Sequence, residues 1–204
     1  MRTAAWYERN VILVIDTSSA RAAIALLDAA GEVVREETHP SGASFDLPAR
    51  YRAIASGSEL TKVAVATGPG SFTGLRVGVS FGLGLAMGLR IPIVPLRTLD
   101  LQAARSNEPV LAVSEAGRGR VYFKSPAGEQ GLREPANLPR NYEVVGWLRP
   151  ETEQAMLKAG MQFRPERVLK TFGEAAAQTL PSALEVAYGS LRLEYMQSFS
   201  ATQN

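Results

Sequence analysis

Two short segments of this 204-residue chain carry residue types that could do chemistry. The first, Asp16-Thr17-Ser18, follows the apolar run Val11 to Ile15. A carboxylate and two hydroxyls at the carboxyl end of a strand suit a phosphate or a metal-bound water. The same residues serve equally as a loop cap in which Asp16 binds nearby amides. The second segment, Gly68-Pro69-Gly70-Ser71-Phe72-Thr73-Gly74, follows a strand-like run and opens a long apolar one. Backbone N–H groups and the helix dipole favour an anion at such a place, but the specific versions of the motif fail. A Walker loop needs four residues between its glycines and then Lys-Ser/Thr, and no such lysine follows; a dinucleotide turn needs glycine where Thr73 stands. A serine-hydrolase elbow needs glycine where Pro69 and Thr73 flank Ser71. The bland alternative is a tight turn that brings a helix close to a sheet, with Gly68, Pro69, Gly70 and Ser71 forming the turn and Gly74 and Gly78 the close contacts.

The elements that must position these residues are legible from periodicity. Val11 to Ile15, Ala22 to Leu27 and Glu32 to Thr38 read as three antiparallel strands, residues 45 to 56 as a short helix, and Lys62 to Ala66 as a further strand. Phe72 to Leu89 alternates almost as a strand does, yet glycines at 74, 78, 82, 84 and 88 would ruin a strand and suit a helix whose backbone approaches a neighbour. Ile91 to Val94 closes the unit as a Pro-limited strand, and a helix follows over 96 to 106. With an offset of 98, Ile12 to Asp16 matches Val110 to Ser114 and Ala22 to Ala25 matches Arg120 to Phe123, which is either a duplicated strand-loop-strand unit or a chance likeness. Beyond Pro126 the chain reads as loops followed by helices over 151 to 159 and 174 to 191. Two lobes are expected, residues 1–97 with the glycine motif and a smaller second lobe over 98–204.

The helix over 72 to 89 is apolar all round. At ~100° per residue, Gly74, Val77, Gly78, Phe81, Gly84, Leu85 and Gly88 share one face, which suits close packing on the sheet. Phe72, Leu75, Arg76, Val79, Leu83, Met87 and Arg90 share the other, which reads as a surface for a partner helix or, alternatively, as the second side of a fully buried helix.

Composition removes whole classes of activity. There is no cysteine, so disulfides, thiolate zinc sites, iron–sulfur clusters and cysteine nucleophiles are excluded. His39 is the only histidine, so metal pairs of the His-x-x-x-His kind are excluded too; it sits in a turn and is assigned no role. With a net charge of +2 and 18 arginines among 22 cations there is no basic arm for nucleic acid. No apolar run reaches the ~20 residues of a membrane span, and the expectation is a cytoplasmic protein with no metal and no membrane.

Val11-Ile-Leu-Val-Ile-Asp-Thr-Ser-Ser19, together with Ala66-Thr-Gly-Pro-Gly-Ser-Phe-Thr-Gly-Leu-Arg-Val-Gly78, closely resembles the TsaB (YeaZ) family of tRNA-modification proteins, which is related to the TsaD glycoprotease group. The likeness runs over residues 11 to 125, including Ala112-Val113 through Val121-Tyr122. It implies an α/β fold of the actin-like, Hsp70-type ATPase (ribonuclease H-like) kind, with two related lobes of mixed sheet flanked by helices. It further implies a non-catalytic partner of the TsaD transferase, working as a heterodimer with it and with the ATPase TsaE to make threonylcarbamoyladenosine next to the anticodon. tRNA is then met indirectly through the complex, and ATP or ADP only at the complex interface. The partner-contacting residues implied are Phe72, Leu75, Arg76, Val79, Leu83 and Met87, with Asp16, Thr17 and Ser18 as a vestigial phosphate loop. The chain departs from the family where Ser114-Glu115-Ala116 replaces Asp-Ala-Arg, in the short region from His39 to Ser58 where only Leu47-Pro48 matches, and in the tail Leu193-Glu-Tyr-Met196. Two competing readings are a nucleotide-hydrolysing enzyme or peptidase, which needs an intact carboxylate pair or metal site, and a self-associating protein that uses the same helix for homodimers.

Overall fold

The computed structural model describes residues 9–42 and 45–194. The expected order of elements is observed through residue 124. Strands β1 (Arg9–Asp16), β2 (Arg21–Leu27) and β3 (Val33–Pro40) lead to α1 (Leu47–Ile54), β4 (Glu59–Gly68), α2 (Phe72–Leu89), β5 (Ile93–Arg97) and α3 (Thr98–Ala104). They build a five-stranded sheet ordered β3-β2-β1-β4-β5. The first three strands pair antiparallel, and β4 runs parallel to both β1 and β5. β1 is apolar from Val11 to Ile15 because that stretch lies between two layers. Leu13 and Ile15 point into a core with Leu47 and Ile54 of α1, while Val14 points to the opposite layer with Phe172 and Ala176.

Chain order repeats in the second half. Strands β6 (Leu111–Gly117), β7 (Arg120–Lys124), β8 (Gln130–Arg133) and β9 (Val144–Val145) form a sheet ordered β8-β7-β6-β9. β6 pairs antiparallel with β7 and parallel with β9, the same relations that β1 has to β2 and β4. The strand relations of the first half therefore recur near the 98-residue offset, with the β6–β7 register one residue away from that of β1–β2. β8 and β9 escaped the sequence reading because they are four and two residues long, too short for a period of two to declare itself. Phe123, Val113, Val144 and Met156 fill the core of this lobe beneath α4 (Pro150–Lys158).

The expected helix over 174 to 191 is corrected. Helix α5 spans only Phe172–Thr179. It starts there because the Thr171 hydroxyl accepts from the Glu174 amide at 3.3 Å while the Glu174 carboxylate accepts from the Thr171 amide at 2.7 Å. It stops because Pro181 has no N–H to continue it, and Leu180–Ser182 closes as a single tight turn. The remainder forms an extended strap that returns to the first lobe. Val186 bridges Ile93, and the Tyr188 hydroxyl reaches the carbonyls of Ala86 at 3.1 Å and Ile91 at 2.9 Å. The Glu194 amide donates to the Thr67 carbonyl at 2.8 Å. Phe172 and Ala176 of α5 likewise belong to the core of the first sheet, so residues 172–194, expected in the second lobe, pack against the first. Tyr195 and Met196, part of the tail resemblance, lie outside the described residues.

Candidate functional site

The two segments singled out by their chemistry meet at the carboxyl ends of β1 and β4. Ser71 caps α2, its hydroxyl accepting from the Gly74 amide at 3.3 Å. The Ser71 amide donates to the Ser18 carbonyl at 2.6 Å, and the Thr17 hydroxyl donates to the Gly74 carbonyl at 2.6 Å. A Cβ at Gly70 would fall on the Ser18 carbonyl, one at Gly74 on the Thr17 carbonyl, and one at Gly78 on the Thr17 hydroxyl. The glycines thus let α2 dock its first two turns directly on the β1 loop. Gly68 turns the chain with φ +114°, and a Cβ there would stand 2.6 Å from the Glu194 carbonyl of the strap. Backbone of the loop and backbone of the helix are thus in direct contact, and nothing fits between them. The Ser18 hydroxyl is also engaged, 3.0 Å from that of Thr98.

Asp16 is sealed beneath this contact. One carboxylate oxygen accepts from the Ser18 amide at 2.8 Å and the other has no partner among the described residues. Burial pushes the carboxyl above its usual value, and the Ser18 hydrogen bonds offset this only in part. The folded chain therefore holds this proton more tightly than the unfolded chain does, so stability is lost as pH rises from the unfolded value towards the folded one. Asp16→Asn should melt at a higher temperature than the wild type at pH 7. The gap should close as the pH falls to the ordinary carboxylate range, where the wild-type carboxyl is neutral in both states. Thermal melts across that range check it; a variant less stable at pH 7 would mean that the charge itself is needed.

Ser114 occupies the place in β6 that Asp16 occupies in β1, and its hydroxyl has no partner among the described residues. The next residue, Glu115, is only 5% exposed. Its carboxylate accepts from the Arg149 amide at 3.1 Å and the Thr152 hydroxyl at 2.8 Å, which ties it to the start of α4. The acidic group expected opposite Asp16 is thus displaced by one residue and committed to a helix N-terminus. Among the described residues no group of three or more His, Asp or Glu side chains could hold a metal ion. His39 lies 3.1 Å from Glu37.

A cleft of about 1200 Å³ opens between the lobes, with Thr17, Ser71 and Thr73 on one wall and Gly146, Trp147 and Arg149 on the other. Its floor is clasped. The Ala20 amide donates to the Trp147 carbonyl at 3.3 Å, and the Arg105 guanidinium lies 4.6 Å over the Trp147 ring while pairing with Glu166. Sequence reasoning missed this cleft because these residues on its two walls lie more than seventy positions apart, with no local pattern linking them.

The expected faces of α2 require correction. The helix buries Leu75, Gly78, Gly82 and Ala86, a stripe turned about a quarter turn from either face read off the sequence. Leu75, expected to contact a partner, is 1% exposed and inside the core. Val79 and Leu83 are half-buried against the same core. Phe72 and Met87 are each 53% exposed, and Arg76 stacks over the Phe72 ring at 3.7 Å. The outward surface is completed by Val77, Ser80, Gly84 and Gly88, three of which were assigned to the sheet side. Gly82 needs its missing side chain, since a Cβ there would run into Val65; Gly84 and Gly88 have nothing within 4 Å of a Cβ. Beside them lies α1, whose Tyr51 meets Phe81 edge-on at 5.6 Å, so the shortened region after His39 still supplies a helix here. By length and composition α2 would pass for a membrane span, but its Leu75 stripe is packed on the sheet.

Comparisons with known proteins agree with this architecture. Residues 52–131 match the family model described as tRNA N6-adenosine threonylcarbamoyltransferase. The chain is 29% identical over 195 residues to the tRNA threonylcarbamoyladenosine biosynthesis protein TsaB of Bacillus subtilis, covering 87% of this chain and 85% of that one. It is 33% identical over 129 residues to the TsaB protein of Haemophilus influenzae, covering 58% and 55%. The solved structure of YeaZ from Pseudomonas aeruginosa superimposes with a TM-score of 0.70 at 20% identity, covering 91% of this chain and 99% of that one. The fold is the actin-like, ribonuclease H-like one, with two related lobes of mixed sheet flanked by helices.

Proposed function

The chain is a relative of the TsaB (YeaZ) proteins, and on that premise we propose that it is a non-catalytic partner of the TsaD transferase in forming threonylcarbamoyladenosine on tRNA. The kinship with the B. subtilis protein over 85% of that protein's length carries the reading. What supports a partner role over catalysis is the state of the cleft between the lobes. The Asp16 loop is closed by α2, and Glu115 is spent on α4. Among the described residues no group of three or more acidic or histidine side chains stands ready to position a metal. The outward surface of α2, bare at Gly84 and Gly88 and apolar at Phe72, Val77 and Met87, is the contact for the transferase. TsaE joins the same cytoplasmic complex, tRNA is met through it, and ATP or ADP enters only where the chains meet.

A reconstituted reaction tests this: tRNA, threonylcarbamoyl-AMP, TsaD, TsaE and ATP, with and without the chain. Modification is expected to depend on the chain; equal product in its absence would overturn the reading.

A further inference from the structure

The chain passes between the lobes over residues 105–110, from α3 to β6, and again over 165–171, from the second lobe to α5. The two crossings lie side by side. The Lys170 amide donates to the Arg105 carbonyl at 2.8 Å, and Arg105 Nε donates back to the Lys170 carbonyl at 3.3 Å. Adjacent crossings of this kind make a hinge, and lobes joined by one move relative to each other unless something else holds them. Two further ties, Lys124 to Asp100 at 2.5 Å and Arg97 to Gln130 at 3.2 Å, involve no residue that lines the cleft. On the cleft side the hold converges on one carboxylate. Glu166 accepts from Trp147 Nε1 at 3.1 Å with one oxygen and from Arg105 Nη2 with the other. Its own side chain is 55% exposed, yet both groups it binds are buried, Arg105 at 4% and Trp147 at 5% exposure. The Trp147 ring reaches from the second lobe into the core of the first, 6.2 Å from the Phe172 ring and with the Arg105 guanidinium over its face.

We propose that Glu166 is the latch of this hinge: it holds the cleft at one width, and the lobes swing apart when it is lost. An ion pair between two exposed groups is worth little. Here removal of the carboxylate strands a buried cation, whose remaining acceptors are the neutral Gln102 side-chain oxygen and the Lys170 carbonyl. It also leaves the buried indole N–H without its acceptor. Both groups then need water, and the cleft onto which Glu166 opens is where water enters. Admitting it draws Trp147 away from the first lobe and breaks the 3.3 Å bond from the Ala20 amide to the Trp147 carbonyl, the tie across the cleft floor. The latch is built from this chain alone and stands apart from the partner reading above.

The absence of cysteine lets the width of the cleft be measured directly. Spin labels at Ser41→Cys and Glu153→Cys, exposed positions on opposite walls, report it by pulsed dipolar spectroscopy on the full chain. With Glu166 intact, one narrow distance distribution is expected. Glu166→Ala should at least double the width of that distribution and move its mean outward. Glu166→Gln, which keeps an acceptor for the indole N–H but no charge for Arg105, should fall between the two. In a Trp6→Phe background Trp147 is the sole tryptophan, and its quenching by acrylamide should rise at least threefold in Glu166→Ala. An unchanged distance distribution in a cooperatively melting Glu166→Ala protein would overturn the proposal, even if its melting temperature fell, because the carboxylate would then stabilise without latching. A wild-type distribution as broad as the variant's would overturn it too. Should Glu166→Ala fail to fold, the Glu166→Gln distances decide in the same way.

Discussion

Gly84→Leu should make the isolated protein more stable and prevent it from supporting tRNA modification. Gly84 lies in the interior of α2 with no heavy atom within 4 Å of where its side chain would stand. Replacing glycine by a good helix former at such a site is worth about 0.5–1 kcal/mol to the fold. Nothing inside the molecule therefore explains the glycine, whereas a helix approaching from outside would. A leucine there must be accommodated by the partner, and overpacking of a tight contact costs about 1–3 kcal/mol. TsaD affinity should fall tenfold to a hundredfold, and threonylcarbamoylation with it, while the melting temperature rises. Gly84→Ala should keep the rise in stability with a smaller loss of binding. Titration with TsaD alongside thermal melts separates the two effects. A Gly84→Leu protein that binds normally would move the contact surface off this face of α2.

The same substitution ten residues earlier should destroy the fold. A side chain at Gly74 would land on the Thr17 carbonyl, backbone against backbone, where no rotamer change gives relief. Relief requires α2 to lift from the β1 loop. That breaks the Ser71 amide to Ser18 carbonyl bond and the Thr17 hydroxyl to Gly74 carbonyl bond, each 2.6 Å long. Overpacking together with two lost hydrogen bonds amounts to about 3 kcal/mol or more, a large part of the stability of a domain this size. Gly74→Leu is expected to yield no cooperatively folded protein. The milder Gly74→Ala, followed by urea denaturation, should lose most of the same energy, since the clash is already complete at Cβ. A midpoint within about 0.5 kcal/mol of wild type would show that loop and helix are not in contact. Gly78→Leu, pressing on the flexible Thr17 hydroxyl instead of backbone, should cost about 1–3 kcal/mol.

These opposite outcomes on one helix mark the boundary of what can be read from a string of residues. The order of strands and helices through residue 124 and the antiparallel opening were legible, and the recurrence at an offset of 98 was visible as one of two readings. Each rests on local apolar periodicity or on recurrence, properties a linear sequence carries in full. The turn after β4 was legible too, because proline and glycine act on their own backbone. The faces of α2 were not. A helix that is apolar all round has no stripe to orient it, and the rotation that buries Leu75 and Gly82 while exposing Val77 and Gly84 is set by the Val65 and Thr17 surfaces beneath it. Glycines that fit the sheet and glycines that face outward are the same letter. The fate of Glu115 was equally hidden, since its partners Arg149 and Thr152 lie more than thirty positions away. Chemistry that depends on which distant segment fills a space becomes readable only when the chain has closed upon itself.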